Sequence, residues 1–441
     1  MKNSVISKKF NLPINWEIDI LDNLTNKIVD GAHHTPKYTN SGIPFLRVTD
    51  VQTKEINFSK IKFISKQEHQ QLIARCNPEK GDMLLSKNGS IGISKIVDWD
   101  WEFSVFVSLA LIKVKKELDV QFLSHFFKSE ITMWQILRRA KQGTVTNLHL
   151  EEIREIEIPR LSLPHQQKIA KILFTIDNVI EKTESAIAKY QAIKQGLMHD
   201  LFTRGIDLNT GRLRPTPQEA PALYKESVLG LIPRDWELEN FEEATEIITD
   251  FTANGSFESL RVNVKYYYEV NYGRLIRLTD LRQNLQTDGV YVNKSGFEFL
   301  LKSELRENDI MLANVGEYTG FACLMPKVNY PATIAPNMFL VRTDKEKFDS
   351  KFMYYFMTYP QFTTQVDNVS ASSATKLLNK TNFRAMHIPK PKIEEQVLFS
   401  KKIESLDQKI QTEQQTLAKY QQLKAGLLQD LLTGKVAVGV D

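Results

Sequence analysis

Residues 189–203 read KYQAIKQGLMHDLFT, and residues 419–433 read KYQQLKAGLLQDLLT. Lys189, Tyr190, Gln191, Gly196, Asp200 and Thr203 each return 230 positions later. A chain that writes one helix twice contains a repeat, and a repeat decides the architecture before any local pattern does. The similarity spreads outward from this helix. Pro13-x-x-Trp16-Glu17 returns as Pro233-x-x-Trp236-Glu237, and Arg47-Val-Thr-Asp50 as Arg277-Leu-Thr-Asp280. Gly81-Asp-Met-Leu-Leu85 returns as Asn308-Asp-Ile-Met-Leu312, and each is followed by a glycine pair, Gly89/Gly92 and Gly316/Gly320. Asp119-x-x-Phe-Leu-x-x-Phe126 faces Asp349-x-x-Phe-Met-x-x-Phe356. Ile158-Pro159 faces Ile388-Pro389, and Gln166 faces Gln396. The order never breaks.

Each copy has two textures. From Ile169, alternating steps of four and three reach Leu173, Ile176, Ile180, Thr183, Ile187, Tyr190, Lys194, Leu197 and Leu201. The second copy gives Phe399, Ile403, Leu406, Ile410, Glu413, Leu417, Tyr420, Lys424, Leu427 and Leu431. An apolar heptad seam of this length predicts a coiled coil, about 60 Å long at the α-helical rise. Two matching helices in one chain can satisfy each other, since each buried Leu or Ile contributes about 1.5–3 kcal/mol. A polar residue at Lys194 or Lys424 either fixes register or faces water. Pro164 and the Glu394–Glu395 pair suit helix N-termini.

The remaining sequence holds short apolar runs broken by Gly, Asn, Asp and Pro: GIPFLRVTDV (42–51), DMLLS (82–86), VFVSLALIKV (105–114) and MFLVRT (338–343). These predict strands of a curled mixed sheet, with helix over 120–140. The aromatic runs Phe122–Phe127 and Tyr266–Tyr268 are expected in the core.

The expected fold is α+β. Two globular mixed-sheet domains are separated by two long antiparallel coiled-coil helices in a pseudo-two-fold internal repeat. The boundaries are 1–160 for the first domain, 161–205 for the first helix and 206–232 for a Pro- and Gly-punctuated linker. The second domain covers 233–392, the second helix 393–434 and a tail 435–441. Under a two-fold relation each domain sits at an opposite end of the rod.

Charge alone says little. The net charge is +4, and Asp plus Glu total 53 against 57 Lys plus Arg. No run of about 18 apolar residues predicts a membrane span, and the opening MKNSVISKKF lacks the apolar segment of a secretory signal. The two cysteines, Cys76 and Cys323, show no disulfide or zinc spacing and are expected as core residues in a reducing cytoplasm.

Catalytic signatures are missing. There is no phosphate-binding G-x-x-x-x-G-K-[ST], no G-x-S-x-G elbow, no H-E-x-x-H, and no (Asn/Asp)-Pro-Pro-(Tyr/Phe) of the amino-methyltransferases. Asp30-Gly-Ala-His33-His34 contains ligand types for a metal, yet adjacent strand histidines point to opposite faces. A polar loop offered to a partner explains it better. No cofactor and no metal are expected.

At this point the residues resemble a family. DGAHHTPKYTNSGIPFLRVTDV (30–51), GDMLLSKNGSIG (81–92), the Ile-Pro pairs and the repeated K-Y-Q-x-[IL]-K-x-G-L-x-x-D-L-x-T helix resemble the specificity subunit of type I restriction–modification enzymes. The resemblance covers essentially the whole chain. It implies two target-recognition domains, each reading one half of a split double-stranded DNA target. It implies that the repeated helices set the spacing and dock two methyltransferase subunits, that motor-nuclease subunits can join, and that the chain itself performs no chemistry. The competing reading is a self-contained DNA methyltransferase or nuclease with unrecognised motifs.

Base reading needs directed donors and acceptors, and phosphate contact needs cations or small hydroxyls, on loops that can reach a groove. In the first domain the candidates are His33, His34, Thr35, Lys37, Tyr38, Lys87, Asn88, Ser90, Lys141, Gln142, Thr144, Thr146 and Asn147. In the second they are Asn314, Glu317, Tyr318, Thr319, Ser372, Ser373, Thr375 and Lys376. Arg47 and Arg277 suit a structural Arg–Asp pair and a DNA contact equally. For partner docking the candidates are Tyr190, Lys194, Gly196, Tyr420, Lys424 and Gly426. Glycine inside a helix costs about 1 kcal/mol relative to alanine, so its recurrence suggests close packing by a partner or by the sister helix.

Overall fold

The computed structural model describes residues 4–53, 55–139, 147–370 and 376–439. They form two compact units, residues 1–186 with 413–441 and residues 187–412. Both long helices are present, Leu163–Arg204 and Ile393–Leu432, and each contributes one segment to each unit.

Within the first unit, Asp177 binds Lys424 at 2.5 Å, while Ile169, Ala170 and Leu173 share a core with Leu427, Leu428, Leu431 and Leu432. Within the second, Tyr190 lies under the Lys409 ammonium at 4.6 Å, Lys194 binds Asp407 at 2.6 Å, and Glu395 accepts from the Ile206 amide at 2.6 Å. One helix advances as the other retreats, so the segments run antiparallel in each unit. Every expected seam position is buried or half-buried.

The two seam lysines have a shared role. Each binds an aspartate of the sister helix, and each aspartate also meets its own domain. The Tyr355 hydroxyl donates to Asp407 at 2.9 Å, and His125, at the matching position, lies 3.8 Å from Asp177. Burial pushes the His125 pKa down to about 4, so this imidazole is neutral near pH 7.

The first unit has a four-stranded antiparallel sheet in the order Thr25–Asp30, Leu109–Val114, Met83–Ser86, Ser94–Ile96. A second sheet orders Tyr38–Thr39, Lys62–Ile64, Ile43–Leu46 and Ser104–Val105, the last pair parallel. The second unit repeats the first sheet as Thr245–Asp250, Met338–Thr343, Ile310–Ala313, Ala322–Leu324, and has a three-stranded sheet of Val290–Val292, Gly273–Ile276 and Ala332–Ile334. In each unit an Ile-Pro pair sits in a two-stranded ladder, Glu157–Arg160 on Glu17–Ile20 and His387–Lys390 on Glu237–Asn240.

Several recurrent residues now have a cause. The Gln166 carboxamide accepts from the Asp119 amide at 2.8 Å and donates to the Glu117 and Leu161 carbonyls. Gln396 does the same with Asp349, Lys347 and Pro391. Both are buried, and each staples a long helix to its domain. Gly81 and Asn308 both take positive φ, +93° and +69°, a conformation that asparagine tolerates better than most residues. Arg47 and Arg277 each donate through Nε and Nη2 to Asp50 and Asp280 and close a capping box. Their recurrence therefore has a structural basis.

Two expectations are corrected. The run 42–51 is strand only over Ile43–Leu46, because the Arg47–Asp50 box starts a helical turn at Val48–Val51. Tyr266 and Tyr268 lie outside the core, 47% and 80% exposed, although Phe122, Phe126 and Phe127 are fully buried. Residues 206–233 contain two small hairpins, Ile206–Asp207 with Arg212–Leu213 and Tyr224–Ser227 with Gly230–Pro233. Cys76 is buried and Cys323 half-buried, and burial pushes the Cys76 thiol up to about 12 and the Cys323 thiol to about 11.

Candidate nucleic-acid interface

In the first unit the candidate loops converge on one carboxylate. Strand Thr25–Asp30 ends on Asp30, whose side chain is only 3% exposed. It takes His33 Nε2 at 2.9 Å, Arg75 Nη2 at 2.5 Å and Lys87 Nζ at 3.0 Å. The backbone permits this because Gly31 carries no side chain: a Cβ there would lie 1.9 Å from the Val105 carbonyl oxygen. Burial by itself would raise the Asp30 pKa, but the hydrogen bonds from His33 and Lys87 and the charge on Lys87 hold it below its ordinary value.

Lys87 opens the glycine loop, and with its ammonium buried against Asp30 it anchors that loop. Gly89 and Gly92 take φ of +74° and +83°, which explains the glycine pair. The loop then meets the stretch that precedes the last ladder strand. The Leu148 amide donates to the Lys87 carbonyl at 2.8 Å, and Asn88 pairs with Asn147 as an isolated antiparallel bridge. The second unit repeats this junction. The Leu378 amide donates to the Asn314 carbonyl at 2.8 Å, the Gly316 amide to the Lys376 carbonyl at 2.9 Å, and Thr319 Oγ1 to the same carbonyl at 3.1 Å. Two stretches about 60 residues apart in sequence thus form one face in each unit.

That face is short of partners. The side-chain oxygens of Asn88, Asn147 and Asn314 are buried and have no hydrogen-bond partner among the described residues. Buried polar atoms are normally paired with protein or with water.

The other candidates are more scattered. His34 turns to Glu68 at 3.6 Å, and Tyr38 lies against the Phe45 ring and under Lys62. Thr35, Lys37, Ser90 and Glu317 are exposed, and the exposed Lys376 binds Asp367 at 2.8 Å. Lys141, Gln142, Thr144, Thr146, Ser372, Ser373 and Thr375 lie outside the described residues. Among the described residues no three His, Cys, Asp or Glu side chains converge as a metal site.

Sequence reasoning missed Arg75 and the anchoring role of Asp30, and it places in the core Tyr268, which the structure exposes. Tyr268 had a visible signal, since it stands 230 positions after Tyr38. The structure makes the match topological. Tyr38 pairs with Ile64, and neighbouring Tyr267 pairs with Tyr291 on the equivalent strand. The second domain reaches this point through ten more residues than the first between Asp250 and Arg277, compared with Asp30 to Arg47, and the extra length includes the helix Phe257–Asn263.

Comparison with known proteins agrees with this duplicated frame. The family described as type I restriction modification DNA specificity domain matches twice, over residues 13–190 and 233–422. A chain of Methanocaldococcus jannaschii named for the specificity subunit of the type I restriction enzyme MjaX is 23% identical over 97% of this chain and 95% of its own length. The MjaVIII specificity subunit of the same organism is 24% identical over 75% of this chain and 74% of its own length. Among solved structures, the type I restriction–modification S subunit from M. genitalium superposes with a TM-score of 0.57 at 16% identity, covering 95% of this chain and 96% of its own. A chain from a type I R-M complex superposes at 0.52 with 13% identity, covering 96% of this chain and 99% of its own. Two matched copies in tandem, on the same repeated frame, place the chain in the family of type I restriction–modification DNA specificity subunits, the non-catalytic recognition subunits of those systems.

Proposed function

We propose that this chain reads a split DNA target, one half with each domain, and docks methyltransferase subunits on its long helices. The observation that carries the reading is the repeated junction of glycine loop and pre-ladder stretch, dressed with different side chains in each unit. The first junction presents Asn88 and Asn147, and its Lys87 is tied to the Asp30 hub that also holds His33. The second presents Asn314, Tyr318 and Thr319. One frame with two unlike faces suits two unlike half-sites. Selection from a randomised duplex pool, with the chain and the subunits that co-purify with it, should enrich a two-part motif. Binding should fall steeply with salt, as phosphate contacts require. Equal retention of all duplexes would sink the reading.

Docking is supported by the outer helix faces. Nothing among the described residues comes within 4 Å of a Cβ built on Gly196 or Gly426, so the sister helix does not account for these glycines. Three residues earlier, on the same face of each helix, Ile193 and Leu423 are 44% and 51% exposed. A repeated apolar residue beside a repeated gap fits one partner subunit per copy. Tyr190, Lys194 and Lys424 already make contacts within the chain and Tyr420 is half-buried, so they back this face. The double substitution Ile193→Glu with Leu423→Glu should leave thermal unfolding unchanged and reduce co-purification of a methyltransferase by about tenfold or more, as expected for buried interface anchors. Undiminished co-purification would count against this surface. No helix among the described residues is long and apolar enough to cross a membrane, and the proposed place of action is the cytoplasm, where the DNA lies. Motor-nuclease subunits would join the same complex.

A further inference from the structure

In the second unit the short helix Leu278–Arg282 has an arginine at each end. Arg277 is engaged internally: Nε and Nη2 donate to Asp280 at 2.9 and 2.8 Å, and Nη2 also donates to the Asp288 carbonyl at 2.9 Å. Arg282 is different. Its side chain is exposed and makes no ion pair among the described residues, and its guanidinium carbon lies 4.3 Å from the centre of the Tyr318 ring. Tyr318 belongs to the glycine loop, between Gly316 and Gly320 at φ of +89° and +93°, and its ring also meets the Phe321 edge.

Stacking on an aromatic face restrains the plane of a guanidinium while leaving its in-plane N–H groups open. Such a fork matches two acceptors held a fixed distance apart. Two oxygens of a phosphate can also take such a fork, but a phosphate contact carries no sequence and would not need to differ between the two domains. The edge of guanine, with O6 and N7 side by side, is the base feature that uses the fork.

The first domain has no equivalent. Gln52 stands 230 positions before Arg282, and the loop from Lys87 to Gly92 contains no aromatic residue. The pair is therefore a private feature of the second domain, on the loop that the repeated junction places at the candidate interface.

We propose that the Arg282–Tyr318 pair is a base-reading element of the second domain, presenting its guanidinium to O6 and N7 of a guanine in that domain's half-site. The assignment rests on the split-target reading above. It is tested by duplex-pool selection with the wild-type complex and with Arg282→Ala, Arg282→Lys and Tyr318→Leu. The two arginine variants should lose discrimination at one G·C pair by about tenfold to a hundredfold. All other positions in both half-sites should be kept. Tyr318→Leu should weaken discrimination at that same pair. The lysine variant keeps the charge, so its failure would isolate the planar fork as the cause. Uniform weakening on every sequence with a shallower salt dependence would identify a phosphate contact and overturn the proposal, as would an unchanged motif. If the wild-type complex enriches no motif, the split-target reading fails first and the pair falls with it.

Discussion

Glu395→Ala is expected to destabilise the second unit by about 3–5 kcal/mol, the cost of breaking a buried ion pair from one side. Glu395 is 1% exposed and collects donors from three segments. Oε1 accepts from the Ile206 amide and from Arg214 Nη1, both at 2.6 Å, and Oε2 accepts from Arg214 Nη2 at 3.1 Å and from Trp236 Nε1 at 3.2 Å. Its removal leaves Arg214, whose side chain is 11% exposed, with the Arg204 carbonyl and the exposed Asp235, the one carboxylate still paired with it among the described residues. It also strands two buried N–H groups. Gly205 shows how tightly the junction is built. Its φ is +67°, and a Cβ there would lie 2.4 Å from Glu395 Oε1 and 2.5 Å from the Trp236 ring. Urea unfolding, with amide exchange at Ile206 and Trp236 to localise the loss, measures the effect. A change below about 1 kcal/mol would mean that the carboxylate is not what holds these hairpins to the helix.

Asp30→Ala should have a comparable effect in the first unit, about 3–5 kcal/mol by the same reasoning, because Lys87 would be left as a buried, unpaired ammonium. Here the loss is also functional. His33 and the glycine loop take their positions from this carboxylate, so recognition of the first half-site should disappear while the second half of the motif persists. Duplex selection below the variant's unfolding temperature separates the two effects. Retention of the full two-part motif would show that the Asp30 hub does not organise a reading face. The pH dependence has a definite sign. Because the folded pKa is lowered, the stability contributed by the ionised carboxylate is fully present above the ordinary value of about 3.9 and is lost as pH falls through the lower folded value. The Asp30→Ala variant should therefore show a weaker loss of first-unit stability in acid than the wild type.

Much of the frame was legible in the sequence because it depends on local rules. Heptad spacing specifies which face of a helix must be covered, and every seam position from Ile169 to Leu201 is at least half-buried. Exchange of Gly81 for Asn308 marks a left-handed turn, since few other residues accept that backbone. Recurrence of Gln166 as Gln396 was equally visible, but its role was not. The Asp119 and Asp349 amides that these side chains hold lie 47 residues away, and no periodicity encodes such a contact. By charge, Glu394 and Glu395 both suit a helix N-terminus. The fold sends Glu395 inward to Arg214 and Trp236 instead.

The interface divides along the same line. Its loops could be chosen from glycine, polarity and register, and the junctions at Lys87–Leu148 and Asn314–Leu378 show that the chosen stretches meet. The sequence could not tell a tether from a reader. Lys87 points into Asp30, Arg277 into Asp280, and Arg282, which carried no recurring motif, lies open on Tyr318.

The amino-acid sequence by itself determined the duplicated architecture, the two seams and the family, because periodicity and spacing act through neighbours along the chain. Only the tertiary structure decided which charged side chains are buried as anchors and which remain available. That choice depends on which distant carboxylate or ring the folded backbone brings within about 4 Å, where Coulomb attraction and desolvation are both strong.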